Sequence, residues 1–130
     1  MSNSEKPEIG SITWCDLTIP DAEQVKDFYA KVVGWKPEAV SMGDYNDFSM
    51  KAPDSDKVAA GVCHTRGVNA QLPPQWLIYI TVQNVEKSAS VCIESGGKIV
   101  VPVKKIGSYG TYCVIEDPAG AVCALFQPER

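Results

Sequence analysis

The sequence predicts an α+β fold: two tandem βαβββ modules forming a cupped, mixed sheet around a shared cavity. Three observations predict it. The stretch Gly10 to Trp35 reads as a strand, a sharp turn, an amphipathic helix and a stop. The same pattern returns 63 residues later, beginning at Trp76. Each copy is followed by three short runs of strand character separated by turn signals.

In the first copy, Ile12 to Ile19 is rich in β-branched and aromatic residues. Pro20 has no N–H to donate to a sheet and ends the strand. Asp21 is a favourable N-cap, and Gln24 at N3 completes a capping box. Val25, Phe28, Val32 and Val33 recur at helical spacing and are expected to face the sheet. Glu23, Lys26, Asp27 and Lys31 are expected to face outward. Gly34 suits the left-handed position that closes a helix. Shifted by 63, Leu17, Thr18 and Ile19 fall on Ile80, Thr81 and Val82, Asp21 on Asn84, Phe28 on Val91 and Gly34 on Gly97. Caps, stop and apolar face repeat in one register, as an internal duplication leaves them.

The remaining elements follow in order. Residues 1–8 are polar and read as a flexible tail, and residues 9–66 as the first module. After the helix come strands at Trp35 to Met42, Tyr45 to Lys51 and Val58 to His64, punctuated by Gly43-Asp44 and Pro53-Asp54-Ser55-Asp56. Residues 67–74 read as the linker, and 75–130 as the second module. There, Gln75 to Val82 is a strand, Asn84 to Ser95 a helix and Gly96-Gly97 its stop. Lys98 to Val103 is a strand in which Pro102 marks an edge or bulge. Tyr109 to Glu116 and Ala121 to Gln127 flank Asp117-Pro118-Ala119-Gly120, whose residues suit a type I turn. Each module can bury one sheet face under its own helix. The two remaining faces are expected to curve into a trough that takes a ligand.

Composition excludes several classes. At 130 residues the chain is one compact domain's worth, and 45% hydrophobic residues support a core. The net charge of −4 comes with no basic stripe, which argues against nucleic acid. No apolar run approaches the ~20 residues of a membrane span. The polar start, MSNSEKPE, lacks a signal-peptide core, so a cytoplasmic protein is expected. The five cysteines form no CxxC, and buried thiols in a reducing compartment explain them better than a disulfide framework or a zinc site.

The ordered set Trp14-x-Asp16-Leu17, Asp21, Phe28-Tyr29 and Gly34-Trp35, then Pro74-x-Trp76, Tyr79, Gly96-Gly97 and Asp117-Pro118-x-Gly120, resembles the vicinal oxygen chelate superfamily. That superfamily includes glyoxalase I, bleomycin resistance proteins and extradiol dioxygenases. The resemblance runs from about Glu8 to Gln127 and is nearest to the glyoxalase/bleomycin resistance-like branch. It implies paired βαβββ modules around a cupped cavity, commonly in homodimers. It also implies a divalent metal held from the first and fourth strands of each module. Those positions fall on Trp14 and Leu77, on Ala124, and near Gly61 to Val62. Trp14, Leu77 and Ala124 offer no donor suited to zinc, nickel or iron, so no metal and no other cofactor is predicted.

Strand alternation assigns the lining of the trough. Leu17 and Ile19, and Ile78, Ile80 and Val82, go under the helices. Trp14, Asp16 and Thr18, then Leu77, Tyr79 and Thr81, and with them Ala124 and Phe126, are the predicted ligand-binding residues. Asp16 can accept a ligand hydrogen bond or act as a base, or serve as a structural hydrogen-bond partner. His64, the only histidine, can act as a general base or ligand, or be a plain packing residue. Trp14, Trp76, Tyr79 and Phe126 can stack on a ligand or fill the trough or a dimer seam. The first reading is a glyoxalase/bleomycin resistance-like protein that binds a small, partly apolar or aromatic molecule without the usual metal. The alternative is a metal-dependent lyase, isomerase or dioxygenase with a displaced site using His64, Asp16 or Glu116. A third is a structural or regulatory module whose trough is closed by its own aromatics.

Overall fold

The computed structural model describes residues 7–129; the tail expected over residues 1–8 lies outside them up to residue 6. The elements follow the expected order. They are β1 (Ile12–Ile19), α1 (Ala22–Val33), β2 (Lys36–Ser41), β3 (Asn46–Lys51) and β4 (Val58–His64), then a short 3₁₀ helix (Gly67–Gln71). They continue with β5 (Trp76–Thr81), α2 (Val85–Glu94), β6 (Lys98–Ile106), β7 (Gly110–Glu116) and β8 (Val122–Pro128). The 3₁₀ turn lies in the segment read as a bare linker.

Two compact units emerge, one of residues 14–77 and one of the residues up to Thr13 and from Ile78 onward. The division falls inside β1 and β5. Gly10 and Ser11, just ahead of β1, exchange backbone hydrogen bonds of 2.8 and 2.9 Å with Thr81 of β5, which places the chain's start in the unit that holds its end.

In the unit of residues 14–77 the strand order is β2-β3-β4-β1. β1 and β4 are parallel; β2–β3 and β3–β4 are antiparallel. Asp21 caps α1 by accepting the Gln24 N–H at 3.2 Å, and Gly34 ends it at φ 88°, a conformation that costs a residue with a Cβ about 1 kcal/mol or more. Helix α1 lies across β2, β3 and β4. Beneath it Leu17, Ile19, Ala22, Phe48, Met50 and Val62 form the core.

One expectation is corrected here. Phe28, Val32 and Val33 do not face the sheet; they are 55%, 63% and 48% exposed. The helix instead packs through Ala22, Val25 and Tyr29. These three also share a helical face, turned one residue round from the larger apolar set. Tyr29 is held in that position by Trp35 and Trp76, at ring-centroid distances of 6.0 and 5.3 Å.

In the other unit the order is β5-β8-β7-β6, with β5 and β8 parallel and the remaining pairs antiparallel. Asn84 caps α2 by accepting the Lys87 N–H at 3.0 Å. The helix covers β6, β7 and β8 over a core of Val85, Cys113 and Leu125, joined by Ile80 and Val82. Strand β6 runs three residues further than expected, to Ile106, and its register shifts on both sides of Val101, next to Pro102. The expected turn forms: Gly120 N–H reaches Asp117 O at 3.0 Å, and the Asp117 carboxylate accepts the Ala119 and Ala121 N–H groups at 2.8 and 3.0 Å. No helix among the described residues is long and apolar enough to cross a membrane, and all five cysteines are unpaired.

Candidate functional site

The face of residues 14–77 that turns away from α1 is set by β1. Leu17 and Ile19 point into the core under the helix, so Trp14, Asp16 and Thr18 take the other side. Parallel pairing then sets Asp16 opposite Gly61 and Thr18 opposite Cys63. A Cβ on Gly61 would stand 3.2 Å from Asp16 Cβ and 3.3 Å from Trp14 Cζ2, so the indole lies against bare backbone. The Trp14 Nε1–H donates to Asp16 Oδ2 at 3.1 Å.

The polar line continues across β4 to β3. Burial raises the Cys63 thiol pKa far above its ordinary value, and the neighbouring Asp16 and Asp47 carboxylates and a hydrogen bond to Asp47 push the same way. Asp47 Oδ1 accepts the His64 backbone N–H at 2.9 Å and lies 3.3 Å from His64 Nδ1. Cys63 and His64 are strand neighbours, whose side chains point to opposite faces. They share one carboxylate, because Asp47 lies in the hairpin partner at the point where β4 ends. The Tyr45 ring meets the imidazole edge-on, with centroids 5.3 Å apart, and the Arg66 guanidinium lies 4.0 Å over Tyr45.

The other predicted residues fall as follows. Leu77 belongs to the unit of residues 14–77 and is buried, and Thr18 is also buried. In the other unit Tyr79 pairs with Ala124, and Thr81 with Phe126, in register. Tyr79 lies 6.5 Å from Tyr112, ring to ring, and Ala124 and Thr81 are fully buried. Glu116 belongs to this second unit. Trp76 does not share the face of Trp14 and Asp16. It packs under α1 against Tyr29 and Trp35 and donates its indole N–H to the Tyr29 hydroxyl at 3.2 Å. It shares strand parity with Ile80, which joins the core under α2, whereas Ile78, also expected under a helix, is 37% exposed.

The sequence singles out Asp16 and His64 but not Asp47, Tyr45 or Arg66, which the structure links to them. Asp47 is recognisable only through the β3–β4 register, and that register shifts between Met50 and Lys51.

The register also bears on the fourth of the positions at which the resemblance implies a metal ligand. Asp16↔Gly61 and Tyr79↔Ala124 are equivalent pairs in the two parallel ladders, so Gly61 is the counterpart of Ala124. Trp14, Gly61, Leu77 and Ala124 carry no metal-binding side chain, and the family's usual metal does not fit this set. Among the described residues no three His, Cys, Asp or Glu side chains gather closely enough to hold an ion.

Comparison with known proteins fits this architecture. The model of the Glyoxalase/Bleomycin resistance protein/Dioxygenase superfamily matches residues 11–125. CFP32 of Mycobacterium tuberculosis (strain CDC 1551 / Oshkosh), provisionally named a glyoxylase, is 31% identical over 122 residues, which are 93% of this chain and 47% of that protein. The anthracycline biosynthesis protein DnrV of Streptomyces peucetius is 28% identical over 132 residues, 91% of this chain and 47% of that protein. The chain thus spans about half the length of these relatives. A solved superfamily member from Vibrio splendidus 12B01 shares the fold at a TM-score of 0.57 and 15% identity, covering 90% of this chain and 99% of its own.

Proposed function

Because the chain belongs to the glyoxalase/bleomycin resistance protein/dioxygenase superfamily, and four positions of its metal pattern lack donors, we propose that it binds a small, partly apolar or aromatic molecule without the usual metal. The observation that carries this reading is the Trp14–Gly61 contact. An indole takes the place of one metal ligand and lies on bare backbone at another, with Asp16 fixing its N–H. A ring held flat in this way offers a stacking surface. DnrV's name supports a flat ligand, since anthracyclines are fused-ring aromatic compounds. The reading includes pairing of two copies through the edge strand β2, which is exposed along its whole length. Sedimentation at several concentrations that shows only monomer rejects that part.

A second reading is a metal-dependent lyase or dioxygenase with a displaced site. Its ligands would come from Asp16, Cys63, Asp47 and His64, which would have to converge on the ion, since no three of them gather closely enough as they stand.

The experiment is elemental analysis of chelator-free protein, before and after soaking in zinc, nickel, manganese and ferrous iron, followed by titration with 1,4-dihydroxyanthraquinone. We expect no retained metal, and tryptophan quenching that Trp14→Ala removes. Near-stoichiometric metal that survives dialysis and is lost in Asp16→Ala or His64→Ala overturns the metal-free reading in favour of the second.

A further inference from the structure

The most fully built polar group outside the Trp14–Asp16 contact lies at the end of β4. Asp47 accepts from the backbone N–H of His64 and faces its Nδ1, and the two side chains are only 15% and 13% exposed. An ionised carboxylate can only accept, so it holds the hydrogen of a neutral imidazole on Nδ1. Nε2 is then a bare acceptor. Among the described residues no buried side-chain nitrogen or oxygen lacks a partner, and the one ring bond of His64 runs from Nδ1. Nε2 therefore reaches solvent.

Through the Tyr45 ring His64 is linked to a cation whose ion pair is long and exposed. Arg66 is fixed over the Tyr45 ring, whose edge fixes the imidazole in turn. Among the described residues Arg66 has one ion pair, with Asp44, 3.9 Å away and 84% exposed, a pairing too solvated to occupy the guanidinium. One aromatic ring thus separates a preoriented neutral acceptor from a preoriented cation. A ligand that satisfies both carries a hydroxyl to donate and an anionic group to pair, on a planar frame.

We propose that the His64–Asp47 and Tyr45–Arg66 pairs form a recognition site for hydroxyl-bearing aromatic carboxylates. The proposal rests on the reading of the chain as a small-molecule binder and names the ligand class. His64 is the only histidine, so its ring nitrogens are unambiguous in long-range ¹H–¹⁵N spectra. In the ligand-free protein at mildly basic pH the hydrogen is expected on Nδ1, and Asp47→Ala returns it to Nε2, the ordinary preference of free histidine. Titration with 4-hydroxybenzoate is expected to shift the Nε2 resonance. Benzoate, which lacks the hydroxyl, and 4-hydroxybenzyl alcohol, which lacks the charge, are expected to bind about tenfold more weakly. Arg66→Gln, at an exposed position, erases the preference for the carboxylate over the alcohol. A wild-type hydrogen on Nε2 overturns the proposal, as does 4-hydroxybenzoate that fails to bind or binds without moving Nε2. If 1,4-dihydroxyanthraquinone still quenches Trp14 in that case, the binding reading stands and only the ligand class falls. If neither compound binds, both fall.

Discussion

The ladder β1–β4 sets Asp16 opposite Gly61, and the ladder β5–β8 sets Tyr79 opposite Ala124. Each residue of the second pair lies 63 positions after its counterpart (16 to 79, 61 to 124), so two parallel ladders keep one register. Their chemistry has separated. Around Asp16 lie an indole, a thiol, a second carboxylate and an imidazole. Around Tyr79 lie Ala124, Tyr112 and Phe126. The comparison teaches that backbone pairing and helix caps persist through a change in what the open face does. One copy surrounds its ladder pair with an indole, carboxylates, a thiol and an imidazole, and the other with tyrosine and phenylalanine rings and an alanine.

The largest test of this contrast uses two glycines. A Cβ on Gly110, at the start of β7, would overlap the Gln127 carbonyl and stand 2.9 Å from Phe126 Cζ and 3.1 Å from Glu129 N. Backbone cannot yield as a side chain can. Gly110→Ala is expected to lower stability by about 3 kcal/mol or more in urea melts. At Gly61 the neighbours are side-chain atoms of Asp16 and Trp14, which can give by a few tenths of an ångström. Gly61→Ala is expected to cost about 1 kcal/mol and to change tryptophan emission, because it pushes on the indole. The reverse order of the two losses would break the assignment of Gly61 to an adaptable site and Gly110 to a fixed ladder.

The thiols give a second contrast of smaller size. Burial pushes Cys113 from 9.0 up to about 11, with the nearby cysteines and Glu86 adding to it. Since the folded value is raised, the unfolded chain loses its proton first. The stabilisation is whole below pH ~9 and is lost as pH climbs from there towards 11, by on the order of 2 kcal/mol. Urea melts across that range should show the fall, and Cys113→Ala should flatten it. Cys63, with two carboxylates beside it as well as burial, is raised further. Its contribution should still be falling where that of Cys113 has levelled, and a Cys63→Ala protein that tracks wild type throughout would contradict the burial of this thiol beside Asp16 and Asp47.

Much of this was legible in the sequence because it is local. Asp21 and Asn84 announce helix starts, Gly34 a stop, and Asp117-Pro118-Ala119-Gly120 a turn; each acts through its own backbone neighbours. The strand faces of β1 were legible from alternation. What failed depends on packing partners far along the chain. The apolar set Phe28, Val32 and Val33 outweighs Ala22 and Tyr29 by hydrophobicity, but Tyr29 has Trp76 to bond and Trp35 to pack on, 47 and 6 residues away. His64 was visible as a lone titratable residue. Its partner Asp47 was not, since one register shift in the β3–β4 hairpin decides which residue meets it.

The caps supply a comparison in which the two copies should agree. Asp21 and Asn84 each accept one N–H three residues on, at 3.2 and 3.0 Å. Asp21→Ala and Asn84→Ala should each cost about 1 kcal/mol, and the double variant about the sum, as the sites share no partner. A loss confined to one helix would mean that the other is held by packing alone.

The smallest expected effect bears on the corrected helix face. Phe28 and its repeat counterpart Val91 are 55% and 47% exposed, so neither is buried deeply enough to leave a cavity when shortened. Phe28→Ser and Val91→Ser, in dilute protein, should each change stability by no more than about 0.5 kcal/mol, against several times that for Tyr29→Ala one residue along α1. The neighbouring pair is the sharper measurement, since positions 28 and 29 differ by a single step of 100° around the helix. If Phe28→Ser were as damaging as Tyr29→Ala, α1 would have to sit rotated on its sheet. Tyr29 would then leave Trp76, and the indole N–H now bonded to the Tyr29 hydroxyl would need another acceptor.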